Sequence, residues 1–495
     1  MNWFWLRSGR HRRVTSADGL TYDSAGRTAW RKAARPIGYA GLSVVLAAAA
    51  AGCTGSPGST GQGQAATAAS SSLFISRTVP DAPVGRQLTW FLRALADLPL
   101  SQQVIRAHFD PAVLAHISAG QLNSALAQPP APGGASLIGL LSEDPARDPV
   151  SLLAVAAFGS VTLTVDIAVD RAGLIDTLLL GPYQPPPASW AQADRELAAL
   201  APDASLLAAR VSPGGSCTPV HQVAASAARP LGSMFKLFVL GALAHQIAVG
   251  RVSWNQELTV TAQLKSLPSG QLQDEPDGTQ VSVLDTAAKM ISISDNTAAN
   301  MLINLLGRSA VQAQDRQWSD HAALNVPFLT TREVFILKLS QWPALANRYI
   351  AANEAGRQAL LASTVDRAPL PAVAAAQTWA TPRDIGTIEW LASPDDICRA
   401  FAGLQQLAAQ PRLAPLGSVL SANNGGVGLD PAQWPTVWFK GGSEPGVLTL
   451  GYLATNSKGQ TFVVVAMLSD PAAALSPSAE PGLLAIVQAA FELVR

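Results

Sequence analysis

A serine and a lysine three residues apart are the clearest candidates for chemistry in this sequence. They are Ser233 and Lys236, the serine and lysine of the stretch Arg-Pro-Leu-Gly-Ser-Met-Phe-Lys. Residues three apart on a helix project from one face, so the lysine nitrogen can lie within hydrogen-bonding distance of the serine oxygen. A hydroxyl beside a base is the usual form of an activated nucleophile. We therefore predict that Ser233 is the nucleophile and Lys236 its base.

A buried central helix is the element expected to position this pair. Residues 234–247 are apolar almost all round, which is typical of a helix inside a domain, and Pro230 suits the first turn of a helix. Burial and the positive end of the helix dipole both disfavour an ammonium group, so the pKa of Lys236 should be lowered. The alternative is a surface lysine whose stem covers apolar residues. The apolar sequence around Lys236 favours burial.

A second motif follows about sixty residues later. It is Ser294-Asp295-Asn296, which lies after a predicted helix opened by Ser282 and before a predicted helix over residues 297–306. A third motif, Lys-Gly-Gly-Ser at residues 440–443, lies on an apolar predicted strand, followed by two more strands and a terminal helix over 481–494. The chain has only seven lysines, and two of them occupy these motifs. The set S-x-x-K, S-D-N and K-x-G resembles class A β-lactamases and penicillin-binding proteins.

This resemblance implies a role for each matching residue in acyl transfer through an acyl-enzyme. Ser294 would relay a proton to the leaving group, and Lys440 would keep that hydroxyl reactive while attracting an anionic substrate. Asn296 would hold a substrate carbonyl. The N–H groups of the nucleophile and of Ser443, beside Gly442, would form the oxyanion hole. No metal and no organic cofactor is implied. The implied fold is an antiparallel sheet flanked by helices, with an all-helical subdomain.

The sequence departs from the family pattern in three places. Gly441 stands where a threonine or serine helps to bind the substrate carboxylate, and residues 448–454 contain no arginine. No Glu-x-x-Leu-Asn motif for deacylation follows Asn296. Glu333 is the nearest candidate, but with Thr330 it also fits a capping box, and Glu389 has no clearer claim. We therefore expect esterase-like or weak β-lactamase-like activity. The alternative is a catalytically weak or idle envelope protein that binds a cell-wall peptide or a partner.

The N-terminal residues have the pattern of an export signal. Residues 1–53 combine a long basic leader with an apolar segment over 37–52, which is shorter than the roughly 20 residues of a membrane span. The segment ends Ala-Ala-Gly-Cys, which resembles the lipobox of bacterial lipoproteins and predicts lipidation of Cys53. An uncleaved anchor, or an ordinary signal with a chance cysteine, is the alternative. Residues 54–72 form a predicted flexible tether. We expect the protein at the outer face of the cytoplasmic membrane.

Two domains are predicted after the tether. Residues 73–184 show short helical patterns and then strands, with strict alternation over 160–169, which predicts an α+β module. The order resembles nuclear transport factor 2 and steroid isomerases, and we expect a structural or substrate-shaping role. His108 and His116 are expected to pack rather than catalyse. Residues 185–495 form the hydrolase-like domain. Together with the lipobox, this order resembles actinobacterial lipoproteins of the LpqF type and the two-domain β-lactamase-like protein of the clavulanic acid pathway.

Composition limits the classes of partner. Basic and acidic residues number 34 each, so nothing indicates a nucleic-acid partner, and we expect a monomer that acts on a small molecule, peptide or ester. Three cysteines are too few for a zinc site, and Cys217 and Cys398 can be either a disulfide or two buried thiols. His221, His245 and His321 have no carboxylate partner at a recognisable spacing. A serine-histidine triad is therefore disfavoured.

Overall fold

The computed structural model describes residues 76–115, 117–129, 131, 133–144 and 150–495. The predictions for the export signal, Cys53, the tether and His116 lie outside these residues. None of the helices in the described part is both long and apolar enough to cross a membrane.

The N-terminal part consists of short helices followed by an antiparallel sheet. The helices are α1 (Pro83–Ala94), α2 (Gln102–His108), α3 (Pro111–Leu114) and α4 (Ala119–Leu126). The strands are β1 (Ser136–Asp144), β2 (Val150–Phe158), β3 (Val161–Val169) and β4 (Ile175–Pro182), paired in chain order. The sequence predicted this order of helices and strands. The likeness to nuclear transport factor 2 stays a prediction.

Local sequence explains these elements. Helix α4 begins with a capping box between Ser118 and Gln121, which satisfies backbone N–H groups at the helix start. The alternation in β3 buries Val165, Ile167 and Val169 against the helices, since successive strand residues point to opposite faces. This sheet and its helices share one hydrophobic core.

The C-terminal part is built on a five-stranded antiparallel sheet. Its strands, in spatial order, are β11 (Thr436–Glu444), β12 (Val447–Thr455), β13 (Thr461–Ser469), β5 (Asp203–Val211) and β6 (Cys217–Val223). Helices α5 (Trp190–Leu200) and α16 (Ala479–Leu493) cover one face, and α6 (Lys236–Ala248) and α14 (Pro394–Ala408) cover the other. Both faces are buried, which is why the central strands are apolar throughout.

A helical subdomain lies between α6 and α14. Its helices are α7 (Val283–Ser292), α8 (Asn296–Leu306), α9 (Arg308–Trp318), α10 (Thr331–Leu339), α11 (Ala344–Ala351), α12 (Glu354–Leu360) and α13 (Val373–Gln377). Two small strand pairs complete the part: β7 (Arg229–Pro230) with β10 (Leu391–Ala392), and β8 (Glu257–Thr259) with β9 (Gln280–Ser282). Helix α15 (Pro415–Ser421) precedes β11.

A disulfide links the edge strand of the five-stranded sheet to a helix that covers the sheet. Cys217 on β6 is bonded to Cys398 on α14, with 6.4 Å between the Cα atoms. The bond closes a loop of 181 residues that contains the whole helical subdomain. It resolves the choice that the sequence left open between a disulfide and free thiols.

Candidate active site

A tight turn presents the predicted nucleophile. Ser233 lies in a 3₁₀ turn, Gly232–Phe235, and Lys236 is the first residue of α6. Three residues per turn align positions i and i+3, so Lys236 Nζ lies 3.0 Å from Ser233 Oγ. The prediction that Pro230 begins the helix is wrong. Pro230 is in β7 and pairs with Leu391, because this extended pair fixes the entry to the turn.

The amine of Lys236 is fully buried and contacts four oxygens. Two of them are carbonyl-type oxygens, Ser294 O at 2.6 Å and Asn296 Oδ1 at 2.7 Å, and two are the hydroxyls of Ser233 and Ser294 at 3.0 and 3.1 Å. The Asn296 amide nitrogen donates to Leu267 O at 3.1 Å, which fixes its orientation. A neutral amine can donate its two protons to the carbonyl oxygens. Its lone pair is then free to accept a hydroxyl proton.

Electrostatics favour this neutral amine. Burial is the largest cause that lowers the pKa of Lys236 well below its usual value, and the nearby charge of Lys440 lowers it further. The carboxylates of Asp295 and Glu389 oppose the shift. The expectation of a lowered pKa for Lys236 agrees with this environment. A buried, deprotonated lysine next to a serine hydroxyl is suited to proton abstraction.

The Ser294 turn is held in a strained conformation. Ser294 has φ of 58°, a left-handed value that few non-glycine residues adopt. Its carbonyl oxygen accepts hydrogen bonds from Lys236 Nζ and from Ser269 Oγ, the latter at 2.7 Å. Buried Asp295 accepts from the backbone N–H groups of Gln271 and Leu272 at 2.7 and 2.9 Å. These hydrogen bonds keep the turn in its strained conformation and direct the Ser294 hydroxyl between Lys236 and Lys440.

Lys440 reaches the same hydroxyl from the sheet. Its Nζ lies 3.1 Å from Ser294 Oγ and donates to Gly441 O at 2.6 Å. Burial lowers the pKa of Lys440 to about 7. Ser294 therefore connects two buried amines, and a proton can move between Ser233, Lys236 and Ser294 without a solvent path.

Two glycines let the nucleophile turn touch strand β11. A Cβ atom on Gly442 would lie 2.4 Å from Ser233 N, and one on Gly232 would lie 2.7 Å from Ser443 N. Only glycine permits such a close backbone approach. Thr449 on β12 supports the contact by donating to Leu231 O at 2.8 Å. The two amide groups predicted for the oxyanion hole thus lie on adjoining backbones.

The surroundings of Gly441 leave no room for a side chain that carries a hydroxyl. A Cβ atom on Gly441 would lie 2.8 Å from Phe439 Cζ and 2.9 Å from Thr449 O. The Phe439 ring is held in place by Tyr452, with ring centroids 4.7 Å apart. The space beside residue 441 is therefore occupied by an aromatic ring and by backbone.

Neither glutamate candidate resembles a free deacylating base. Glu333 forms the capping box at Thr330 and an ion pair with Arg308, so the capping interpretation is correct. Glu389 is buried behind the nucleophile turn, where desolvation and the charge of Glu444 raise its pKa to about 8. A carboxyl group with that pKa is mostly protonated at neutral pH.

Three of the histidines contact residues outside the candidate active site. His221 Nε2 lies 2.7 Å from Asp194 Oδ1, and His321 Nδ1 lies 2.7 Å from Asp396 Oδ2. These carboxylate partners are 27 and 75 residues away in sequence, so no recognisable spacing indicated them. Neither pair includes Ser233. His108 stacks on Trp90 with ring centroids 3.6 Å apart.

The structure thus brings together the side chains of Ser233, Lys236, Ser294, Asn296 and Lys440, and the backbone of Gly442 and Ser443. Sequence reasoning missed Ser269 and Thr449. Single hydroxyl residues outside a motif carry no signal that would have identified them.

Comparisons with known proteins agree with this architecture. The model of the β-lactamase enzyme family matches residues 218–388, and that of the N-terminal region of the ORF 12 gene product matches residues 79–133. None of the curated proteins compared with the chain matches its sequence. The chain has a class A β-lactamase-like α+β fold, with an antiparallel sheet and flanking helices.

The solved structures that are similar to the chain include PBP-A and two β-lactamases. PBP-A is 19% identical over 63% of this chain and 98% of its own, with a TM-score of 0.42. A β-lactamase from Sphaerobacter thermophilus is 20% identical over 62% and 97%, with a TM-score of 0.42. A β-lactamase from Chitinophaga pinensis is 17% identical over 62% and 98%, with a TM-score of 0.41.

Proposed function

We propose that this protein is a serine hydrolase that acts through an acyl-enzyme and favours esters over β-lactams. The observation that carries the proposal is the position of Lys236. Its buried amine lies within hydrogen-bonding distance of both hydroxyls, Ser233 Oγ and Ser294 Oγ, while Lys440 contacts the second. A structural role alone does not require two buried amines around two serine hydroxyls.

Acylation follows from these contacts. Lys236 Nζ accepts the hydroxyl proton as Ser233 Oγ forms a bond to the substrate carbonyl carbon. The oxyanion is stabilised by the N–H groups of Ser233 and Ser443, each worth roughly 3 kcal/mol. Ser294 Oγ gives its proton to the leaving alkoxide as the ester C–O bond breaks. The ammonium of Lys236 then returns a proton to Ser294. The products are an alcohol and an acyl group on Ser233.

Deacylation sets the preference among substrates. Water must attack the acyl-enzyme, and the usual carboxylate base is lacking at Glu333, which is paired with Arg308. An ester with a small acyl part leaves an uncrowded acyl group on Ser233 after its alcohol has departed, and water can hydrolyse that group slowly with Lys236 as the base. A β-lactam leaves a bulky acyl group and loses the carboxylate contact at Gly441, so it should remain attached for longer. Towards a β-lactam, the protein would then behave as a penicillin-binding protein.

The cellular setting is part of the proposal. We place the enzyme outside the cytoplasmic membrane, held by a lipid on Cys53 and by the tether over 54–72, as a monomer. The match to the ORF 12 N-terminal model supports a two-domain organisation of the LpqF type. The disulfide between Cys217 and Cys398 supports an oxidising compartment, because such bonds persist mainly outside the cytosol.

Intact-mass analysis tests the proposal. The protein and its Ser233→Ala variant are exposed to an activated ester, a fluorophosphonate and a penicillin. We expect adducts that require Ser233, with the ester adduct decaying faster than the penicillin adduct. If folded wild-type protein forms no adduct with any reagent, the hydrolase proposal fails and an idle binding protein is the better description.

A further inference from the structure

A buried cluster of three ionisable side chains lies directly behind the candidate oxyanion hole. Its members are Lys338 on α10, Glu444 at the end of β11, and Glu389, which precedes β10. The side chains of Lys338 and Glu389 are almost fully buried, and that of Glu444 is 10% exposed. Burying three ionisable groups together is costly, so the cluster needs an explanation beyond packing.

The cluster connects to both backbone segments that carry the amide donors of the oxyanion hole. Lys338 Nζ lies 2.5 Å from Glu444 Oε1, and Glu444 directly follows Ser443. Lys338 Nζ also lies 3.6 Å from Glu389 Oε2. Trp390, the residue after Glu389, accepts a hydrogen bond at 2.9 Å from the backbone N–H of Leu231, which directly precedes the nucleophile turn.

Lys338 is itself held firmly in place. Its Nζ lies 5.5 Å from the centre of the Trp379 ring, and its carbonyl oxygen accepts a hydrogen bond from Arg383 at 2.7 Å. The far side of the cluster is less constrained, since Glu389 Oε1 makes no hydrogen bond within the described part of the chain. The lysine is therefore the fixed point from which the two carboxyl groups are positioned.

We propose that Lys338 is a positioning residue that braces the oxyanion hole, holding β11 through Glu444 and the nucleophile turn through Glu389. The inference rests on the proposed hydrolase function. It gives a role in catalysis to a residue that lies outside the three motifs S-x-x-K, S-D-N and K-x-G. The lysine does not touch the substrate; it fixes the distance between the two donor-bearing backbones, and oxyanion stabilisation depends steeply on that distance.

The test compares Lys338→Met with the charge-free triple variant Lys338→Met, Glu389→Gln, Glu444→Gln. The single variant leaves carboxyl groups buried without a cation and should melt at a lower temperature. The triple variant removes the charges at similar volume, so it should melt at a higher temperature than the single variant. Lys458→Met, at an exposed position between β12 and β13, is the matched control.

The readout is the rate constant of Ser233 acylation by an activated ester, measured over a range of ester concentrations. We expect the saturating rate to fall 10- to 100-fold in both Lys338 variants, with substrate affinity changed less than threefold. The control should match wild type. If the triple variant melts like wild type and is acylated at the wild-type rate, the cluster is only structural and the inference is overturned. Failure of wild-type acylation would instead refute the hydrolase proposal, and the inference with it.

Discussion

Replacing Gly442 with alanine should disable the oxyanion hole without removing any catalytic side chain. The added Cβ would lie 2.2 Å from Leu231 O and 2.4 Å from Ser233 N. Ordinary contacts begin near 3.4 Å and the closest atom would be at 2.2 Å, so strand β11 and the nucleophile turn must separate by about 1.2 Å. The two amide donors would then no longer converge on one oxyanion.

The size of the effect follows from that separation. Loss of one well-placed donor costs roughly 3 kcal/mol in the transition state, which corresponds to a fall of about 100-fold or more in the acylation rate. Overpacking should also lower the free energy of unfolding by about 1–3 kcal/mol. Stopped-flow acylation by a p-nitrophenyl ester measures the rate, and urea unfolding measures the stability.

A matched control separates the steric effect from the substitution itself. Gly386 lies in the same part of the chain, and a Cβ there meets no atom within 4 Å. Gly386→Ala should be acylated at the wild-type rate. If folded Gly442→Ala is also acylated within a factor of three of wild type, the assignment of the oxyanion hole to this contact is refuted.

Three further predictions concern the base, the second lysine and the disulfide. Lys236→Ala should slow acylation by about 100- to 10,000-fold, because it removes the proton acceptor; a variant that keeps a tenth of the wild-type rate in the same stopped-flow assay would exclude Lys236 as the base. Because the pKa of Lys440 is about 7, its charge is present below that pH and lost above it, so KM for an ester bearing a carboxylate should rise between about pH 6 and 8. KM for a neutral ester of similar size should not follow that change, and parallel profiles would contradict the role of Lys440. Replacing Cys217 and Cys398 together with alanine opens a loop of 181 residues, which the chain-entropy model values at about 5 kcal/mol. Urea unfolding should show a loss of at least 2 kcal/mol, and a loss under about 1 kcal/mol would contradict that account.

The sequence by itself determined much of the site. Ser233 and Lys236 are three residues apart, and that spacing brings their side chains together in any tight helical turn, so local geometry was sufficient. The apolar run over 234–247 predicted the buried helix, because a helix without a polar face has no side to turn to water. The capping box at Thr330 was also a local pattern, and it correctly argued against Glu333 as a deacylating base.

Only the tertiary structure decided what lies around those residues. Lys440 contacts the Ser294 hydroxyl although 146 residues separate the two, and no local rule fixes such a distance. The bond between Cys217 and Cys398 depends on how β6 packs against α14. The ring of Phe439 over Gly441 and the cluster around Lys338 also arise from packing between elements. Sequence spacing constrains only neighbours within a turn or a strand, whereas burial, ion pairing and backbone approach depend on the whole fold.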